Sequence, residues 1–134
     1  MDVATGVLAA SIGHEDFISA FALSPDDSLL ATAAGGTFNG EFTALIYLWN
    51  PQSGERIAAY PQQKFASAMA FSPDGSVLAV AVGADVLLLD PTTGQAKQSF
   101  TASGEAVGSL GFSPDGASLA TTGSEGTLRL WSLR

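Results

Sequence analysis

The sequence of 134 residues contains no cysteine, which excludes disulfide bonds, thiolate metal ligands and cysteine nucleophiles. A chain without cysteine fits a reducing compartment, and we therefore predict a cytoplasmic location. A long apolar run is also missing: the longest, residues 77–89, is interrupted by Gly83 and Asp85 and falls short of the roughly 18 residues of a membrane span. The first residues lack the basic and apolar segments of a secretory signal. The sequence thus predicts a soluble protein.

Positive charge is scarce, since five Lys and Arg residues stand against 13 Asp and Glu, for a net charge of −8. Nucleic acids and anionic membranes both require a basic surface, so we expect neither as a partner. With one histidine and no nucleophile motif, only carboxylates remain as catalytic groups. The most regular of them, Asp26, Asp74 and Asp115, occupy the same turn position in three places, which indicates a structural role. We predict a protein that is not an enzyme and has no cofactor or bound metal.

The chain does contain one unit three times. The triplet Ser-Pro-Asp begins at Ser24, Ser72 and Ser113, with spacings of 48 and 41 residues, and such a period is typical of four-stranded repeat units. An alternating segment that predicts a β-strand, strand a, precedes each triplet, and near-continuous apolar runs that predict strands b and c follow it. The predicted bounds of strand b are 29–34, 77–82 and 118–122, and those of strand c are 45–49, 86–89 and 127–131.

Turn chemistry separates these strands. In Ser-Pro-Asp-Gly the proline presets one turn dihedral, the aspartate can bond back to the backbone, and the glycine tolerates a positive φ. Segments 50–54 and 90–94 each end in glycine and predict a turn into a fourth strand, d, at 56–60 and 96–100. Residues 2–6 and 7–12 match that turn and strand d, so the predicted order is d, abc, d, abc, d, abc.

The unit that runs from Phe112-Ser113-Pro114-Asp115-Gly116 to Trp131, with its two other copies, resembles the Trp-Asp repeat of WD-repeat β-propellers. The resemblance implies an all-β fold of four-stranded antiparallel blades, three per chain, and a role as a protein-interaction or scaffold module. On this basis residues 13–60 form blade 1, 61–100 blade 2 and 101–134 blade 3. Residues 1–12 would supply strand d to the last blade of a partner.

Three wedge-shaped blades cannot close a ring, because propellers have roughly four to eight blades. Two copies joined head to tail give six blades, so we predict a homodimer that closes the ring by strand exchange. A trimer, a fragment or engineered piece of a larger propeller, and a ring that binds a small ligand or ion remain alternatives. The residues predicted to close the ring are Val7, Leu8, Ala9, Ala10, Ile12, Leu128, Leu130 and Trp131.

The family pattern also implies a hydrogen-bonded network of a histidine, a strand-b hydroxyl, a turn aspartate and a strand-c tryptophan. His14, Thr32 and Trp49 could supply three of these groups in copy one, where an insertion stands at the aspartate position. No copy has all four groups. We therefore predict structural roles for His14, Trp49, Trp131, Asp26, Asp74 and Asp115.

In WD-repeat proteins the residues before strand a and in the b–c loops surround the face that usually carries partner contacts. The resemblance therefore implies a binding rim for a protein or peptide, unless the aromatic rings at these positions fold down onto the blade tops. Copy one also carries an insertion at 35–44, which forms either a longer hairpin or a mobile loop. The candidate rim residues are Glu15, Phe17, Phe38, Phe42, Gln63, Phe65 and Glu105.

Overall fold

In the computed structural model, the chain is described for residues 17–26, 28–38, 41–62, 66–101, 106–123 and 126–133. Within these ranges it contains eleven β-strands and no helix, which confirms the all-β prediction. The strands are β1 Phe17–Leu23, β2 Leu30–Phe38, β3 Glu41–Trp49, β4 Arg56–Gln62, β5 Ala66–Phe71, β6 Leu78–Val82, β7 Asp85–Leu89, β8 Ala96–Thr101, β9 Val107–Phe112, β10 Ser118–Gly123 and β11 Leu128–Ser132.

The strands form three antiparallel sheets, each built from strands that follow one another in the chain. Sheet 1 contains β1 to β4, sheet 2 contains β5 to β8, and sheet 3 contains β9 to β11 among the described residues. The predicted strands a, b, c and d correspond to the first, second, third and fourth strand of a sheet. The strand d predicted at 7–12, with Val7, Leu8, Ala9, Ala10 and Ile12, lies outside the described residues. The three antiparallel sheets are consistent with blades.

The sheets stack in chain order through their first strands, because β1 lies against β5 and β5 lies against β9. One apolar core fills the space between sheets 1 and 2, and it includes Ile46, Met69 and Leu78. A second core fills the space between sheets 2 and 3, and it includes Val86 and Leu119. Sheet 2 is thus covered on both faces, which explains why β6 is buried along nearly its whole length.

The insertion of copy one extends two strands and forms a longer hairpin. The pairing of β2 with β3 continues without interruption from Leu30 opposite Trp49 to Phe38 opposite Glu41. Both strands are nine residues long, whereas the corresponding strands of sheet 2 have five. Of the two forms that the sequence allowed for the insertion, the structure has the longer hairpin.

The Ser-Pro-Asp turns repeat one hydrogen-bond pattern three times. In the second copy, the Ser72 hydroxyl donates to Asp74 Oδ1 at 2.7 Å, and the same oxygen accepts from the Ser76 backbone N–H at 3.0 Å. The Val77 N–H donates to Ser72 Oγ, and Gly75 has a φ of 76°. Serine, aspartate and glycine therefore each have a defined function in reversing the chain between the first and second strands.

Candidate functional site

Four of the predicted rim residues lie outside the described part of the chain: Glu15, Gln63, Phe65 and Glu105. For Phe17, Phe38 and Phe42 the structure describes the strand positions. Phe17 pairs with Gly35, while Thr37 pairs with Phe42 and Phe38 with Glu41. The backbone therefore places Phe38 and Phe42 beside the tip of the long β2–β3 hairpin, and Phe17 at the same end of sheet 1, opposite Gly35.

Two of the predicted structural residues, the tryptophans, each donate a hydrogen bond to a threonine of the second strand. Trp49 Nε1 donates to Thr32 Oγ1 at 2.9 Å, and Trp131 Nε1 donates to Thr121 Oγ1 at 3.0 Å. His14 lies outside the described residues. Thr121 was not predicted as a network member, although it stands eight residues after the triplet serine, as Thr32 does. Sheet 2 places Val80 and Leu89 at the equivalent positions, so packing replaces the hydrogen bond there.

The turn aspartates are acceptors within their own turns. The pKa of Asp26 is lowered to about 2, first by the Ser28 hydroxyl and then by the Ser28 N–H and the Ser24 hydroxyl. The pKa of Asp74 is lowered to about 2 by the equivalent bonds, of which the Ser76 N–H contributes most. Asp115 accepts from the Ser113 hydroxyl and the Ala117 N–H. Carboxylates held ionised in this way stabilise turns and are poorly suited to take up protons near neutral pH.

These low pKa values predict the pH range in which the turns lose stability. The folded-state pKa of Asp74 lies below its ordinary value of 3.8. The contribution of the ionised carboxylate to folding stability is therefore complete above pH 3.8 and is lost as the pH falls toward 2. The Asp74→Asn variant should therefore be less stable than the wild type above pH 4 and should show a flatter loss of stability between pH 4 and 2. Urea unfolding at a series of pH values measures this difference. Glu55→Gln removes one exposed negative charge without removing a turn acceptor and is the control; an equal flattening in both variants would contradict the assignment.

A groove of about 490 Å³ lies between sheets 2 and 3, beside the Ser-Pro-Asp turns. Its lining combines apolar and charged side chains, among them Leu88, Lys97, Phe112, Asp115 and Leu133. Across the described residues, no three His, Asp or Glu side chains are placed together to hold a metal ion.

Most of the exposed large apolar side chains of the described residues lie at the two ends of the stack of sheets. On sheet 1, the face directed away from sheet 2 carries Phe21 and Leu23, and Phe21 is 70% exposed; we name it the leading face. On sheet 3, the face directed away from sheet 2 carries Leu128 and Leu130, and Leu130 is 73% exposed; we name it the trailing face. Exposed apolar patches of this kind usually mark interaction surfaces.

The repeated sheets coincide with the repeats of a known protein family. The family model for the WD domain, G-beta repeat, matches residues 6–39 and 94–132, which is more than half of the chain. The chain belongs to the WD-repeat family. No curated protein sequence matches it, and the described part of the structure contains no helix that is long and apolar enough to cross a membrane.

The second match defines how the WD repeat lies on this structure. It begins at Gly94, two residues before β8, and ends at Ser132, the last residue of β11. One family repeat therefore consists of the fourth strand of one sheet and the first three strands of the next sheet. The first match begins at Gly6, which precedes residues 7–12 as Gly94 precedes β8. WD repeats in general form protein-interaction scaffolds, so this chain has an interaction fold.

Proposed function

We propose that this WD-repeat protein is a non-enzymatic interaction scaffold whose propeller is completed by a second copy of the chain. The observation that carries the proposal is the offset between the family repeats and the sheets. Residues 6–12 match the start of a repeat, the part that forms the fourth strand in sheet 2, whereas the described residues of sheet 3 supply three strands. In the proposed dimer, residues 7–12 of one copy pair with β11 of the other and give sheet 3 its fourth strand.

Ring geometry supports two copies. A chain with three blades is below the roughly four to eight blades of closed propellers, whereas two chains supply six. In a ring of this kind each copy donates one strand to its partner and accepts one from it, so the two copies are equivalent. Residues 1–12 are then the exchanged segment, and 13–60, 61–100 and 101–134 are the three blades of each copy.

The rim of the completed ring is the proposed site for a protein or peptide partner. Phe17, Phe38 and Phe42 occupy strand positions at one end of sheet 1, and aromatic side chains are enriched in protein interfaces. Glu15, Gln63, Phe65 and Glu105 are proposed to complete this rim because they precede the first strands of the blades. A long hairpin on a rigid scaffold is a common place for contact residues.

The native mass of the purified chain, measured by light scattering during gel filtration over a range of concentrations, tests the proposal. We expect about twice the chain mass of 13.6 kDa. The Ala9→Pro variant should elute as a monomer, because proline removes a backbone donor from the exchanged strand. Ala9→Val retains that donor and should remain a dimer.

Three outcomes would contradict the proposal. A wild-type monomer would exclude completion by a second copy, and three times the chain mass would indicate nine blades. An Ala9→Pro dimer would exclude strand exchange through this segment.

Partner binding can be tested by the same gel filtration after a cell extract is added. A protein from the extract that binds the rim should elute with the wild type and not with a Phe17→Ala variant.

A further inference from the structure

The two ends of the stack carry the two halves of an interface that the chain already forms twice. Where sheet 1 meets sheet 2, sheet 1 presents small residues on its first two strands, such as Ala22 and Ala31, and larger ones on its third, Ile46 and Leu48. The facing surface of sheet 2 presents large side chains on its first strand, including Met69 and Phe71. The sheet with small residues lets the large first-strand side chains of its neighbour pack closely.

The trailing face of sheet 3 repeats the small-residue half of this interface. Counted from the triplet serines, Gly111 and Ala120 stand at the positions of Ala22 and Ala31. From the strand-c ends, Leu128 and Leu130 stand at the positions of Ile46 and Leu48. The equivalent leucines of sheets 1 and 2 are at most 5% exposed, whereas Leu130 is 73% exposed. Sheet 3 thus has the surface of an internal sheet without a described neighbour on that side.

The leading face of sheet 1 repeats the large-residue half. Phe21 stands at the position of Met69 in sheet 2 and Leu110 in sheet 3, and Leu23 stands at the position of Phe71 and Phe112. Those four counterparts all pack in the cores between sheets, whereas Phe21 is largely exposed. The first strand of sheet 1 therefore carries large apolar side chains at the positions that, in sheets 2 and 3, pack on the preceding sheet.

The trailing face carries no charged side chain among the described residues that register places on it, whereas register places Glu41 and Arg56 at the margins of the leading face. The residues across the trailing face are Ser109, Gly111, Ala120, Thr122, Leu128 and Leu130. The central residues of the leading face are Ile18, Phe21, Leu23, Leu30, Thr32, Ala34, Leu45, Tyr47 and Trp49. The Arg56 guanidinium lies over the Tyr47 ring, 5.6 Å from its centroid. A chain with a net charge of −8 repels its own copies, so a contact through the uncharged trailing face limits this repulsion.

From this correspondence we infer that the trailing face of one copy docks on the leading face of a second copy, in the same geometry that joins sheet 1 to sheet 2. The inference rests on the proposed function in that a second copy is the partner, but it does not depend on strand exchange by residues 7–12. The contact is heterologous, with different surfaces meeting. A leading face that met a second leading face would bring two large-residue halves of the interface together.

Two variants that block one face each can test the polarity of the contact. Phe21→Lys alters the leading face and Leu130→Lys the trailing face, and lysine does not add to the negative charge. Ile57→Lys is the matched control, because Ile57 is exposed on β4 and sheet 2 already has lysine, Lys97, at the equivalent position. Since Phe21 and Leu130 are exposed within one chain, the far-UV circular dichroism spectrum of each variant should match that of the wild type.

In a head-to-tail dimer each blocking variant damages both interfaces. Either variant alone should therefore weaken dimerisation by about 30-fold or more, the loss expected for a central apolar contact, while Ile57→Lys should leave it unchanged. An equal mixture of the two variants should recover dimers, because the mixed pair has one interface with both native faces. Light scattering over a dilution series, at concentrations where the wild type is a dimer, measures each result.

The other outcomes separate the two proposals. If only one blocking variant is monomeric, that face meets itself and the head-to-tail inference is wrong. If both variants remain dimers like the wild type, or both are monomers that the mixture does not recover, the face contact is wrong while strand exchange can still hold. If the wild type itself is a monomer, both the inference and the proposed dimer are wrong.

Discussion

Replacement of Leu119 by alanine is expected to lower the free energy of unfolding by about 2–5 kcal/mol, the usual cost of removing a buried leucine side chain. Leu119 is 0% exposed. It pairs with Phe112 on one side and with Trp131 on the other, in the core that joins sheets 2 and 3. The Trp131 ring packs in turn on Phe100 of β8, with ring centroids 4.8 Å apart. Loss of Leu119 thus leaves a cavity at the junction of two sheets.

Urea unfolding followed by circular dichroism measures this loss. Ile57→Ala is the control, since it also removes a large aliphatic side chain but from a position that is 55% exposed, and it should change the unfolding free energy by less than about 1 kcal/mol. If the two variants were equally stable, sheet 3 would not be held to sheet 2 through this core.

A large effect is also expected for Gly94→Ala, at a close contact between sheets 1 and 2. Gly94 has a φ of 75°, and a Cβ atom there would overlap the Tyr60 ring, coming within 2.6 Å of its Cγ. The Tyr60 hydroxyl donates to the backbone oxygens of Pro91 and Thr92 at 3.2 Å. Displacement of the ring would break these bonds in addition to the strain of alanine at positive φ, for a total cost of about 2–4 kcal/mol.

Gly54→Ala provides the matched comparison for this variant. Gly54 occupies the same turn position in sheet 1 and has a φ of 77°, but no atom lies within 4 Å of its added Cβ. Its substitution should therefore cost only the backbone strain, about 1–2 kcal/mol. Combining Gly94→Ala with Tyr60→Ala should cost less than the sum of the two single changes, because the clash is absent. Additive losses in this double-mutant cycle would show that the Tyr60 ring does not cause the difference.

Local turn chemistry explains why the sequence predicted the sheets well. The Ser-Pro-Asp-Gly turn is formed by bonds that span at most five residues, so it can be identified without any knowledge of tertiary contacts. Apolar patterns between the turns then located the strands to within one residue in sheets 2 and 3. In sheet 1 the error was larger, because β2 and β3 continue into a glycine-rich insertion whose pairing depends on contact across the hairpin.

Long-range packing determined the features that the sequence left undecided. Gly94 was predicted only as a turn residue, and its contact with Tyr60 brings together residues that are far apart in the chain. The groove between sheets 2 and 3 likewise has no sequence signature, since its lining comes from several separate turns and strands. The candidate rim remains a prediction that rests on sequence and on the strand positions of Phe17, Phe38 and Phe42.

The sequence by itself determined the repeat, the turn types, the order of the strands and the membership in the WD-repeat family, because each depends on local chemistry or on spacing along the chain. Only the tertiary structure decided which face of each sheet is covered. Leu88 and Leu130 are the same residue type at equivalent positions, yet Leu88 is buried against sheet 3 while Leu130 is exposed. The physical reason is that burial depends on the next sheet in the stack, which the pattern within one repeat does not contain.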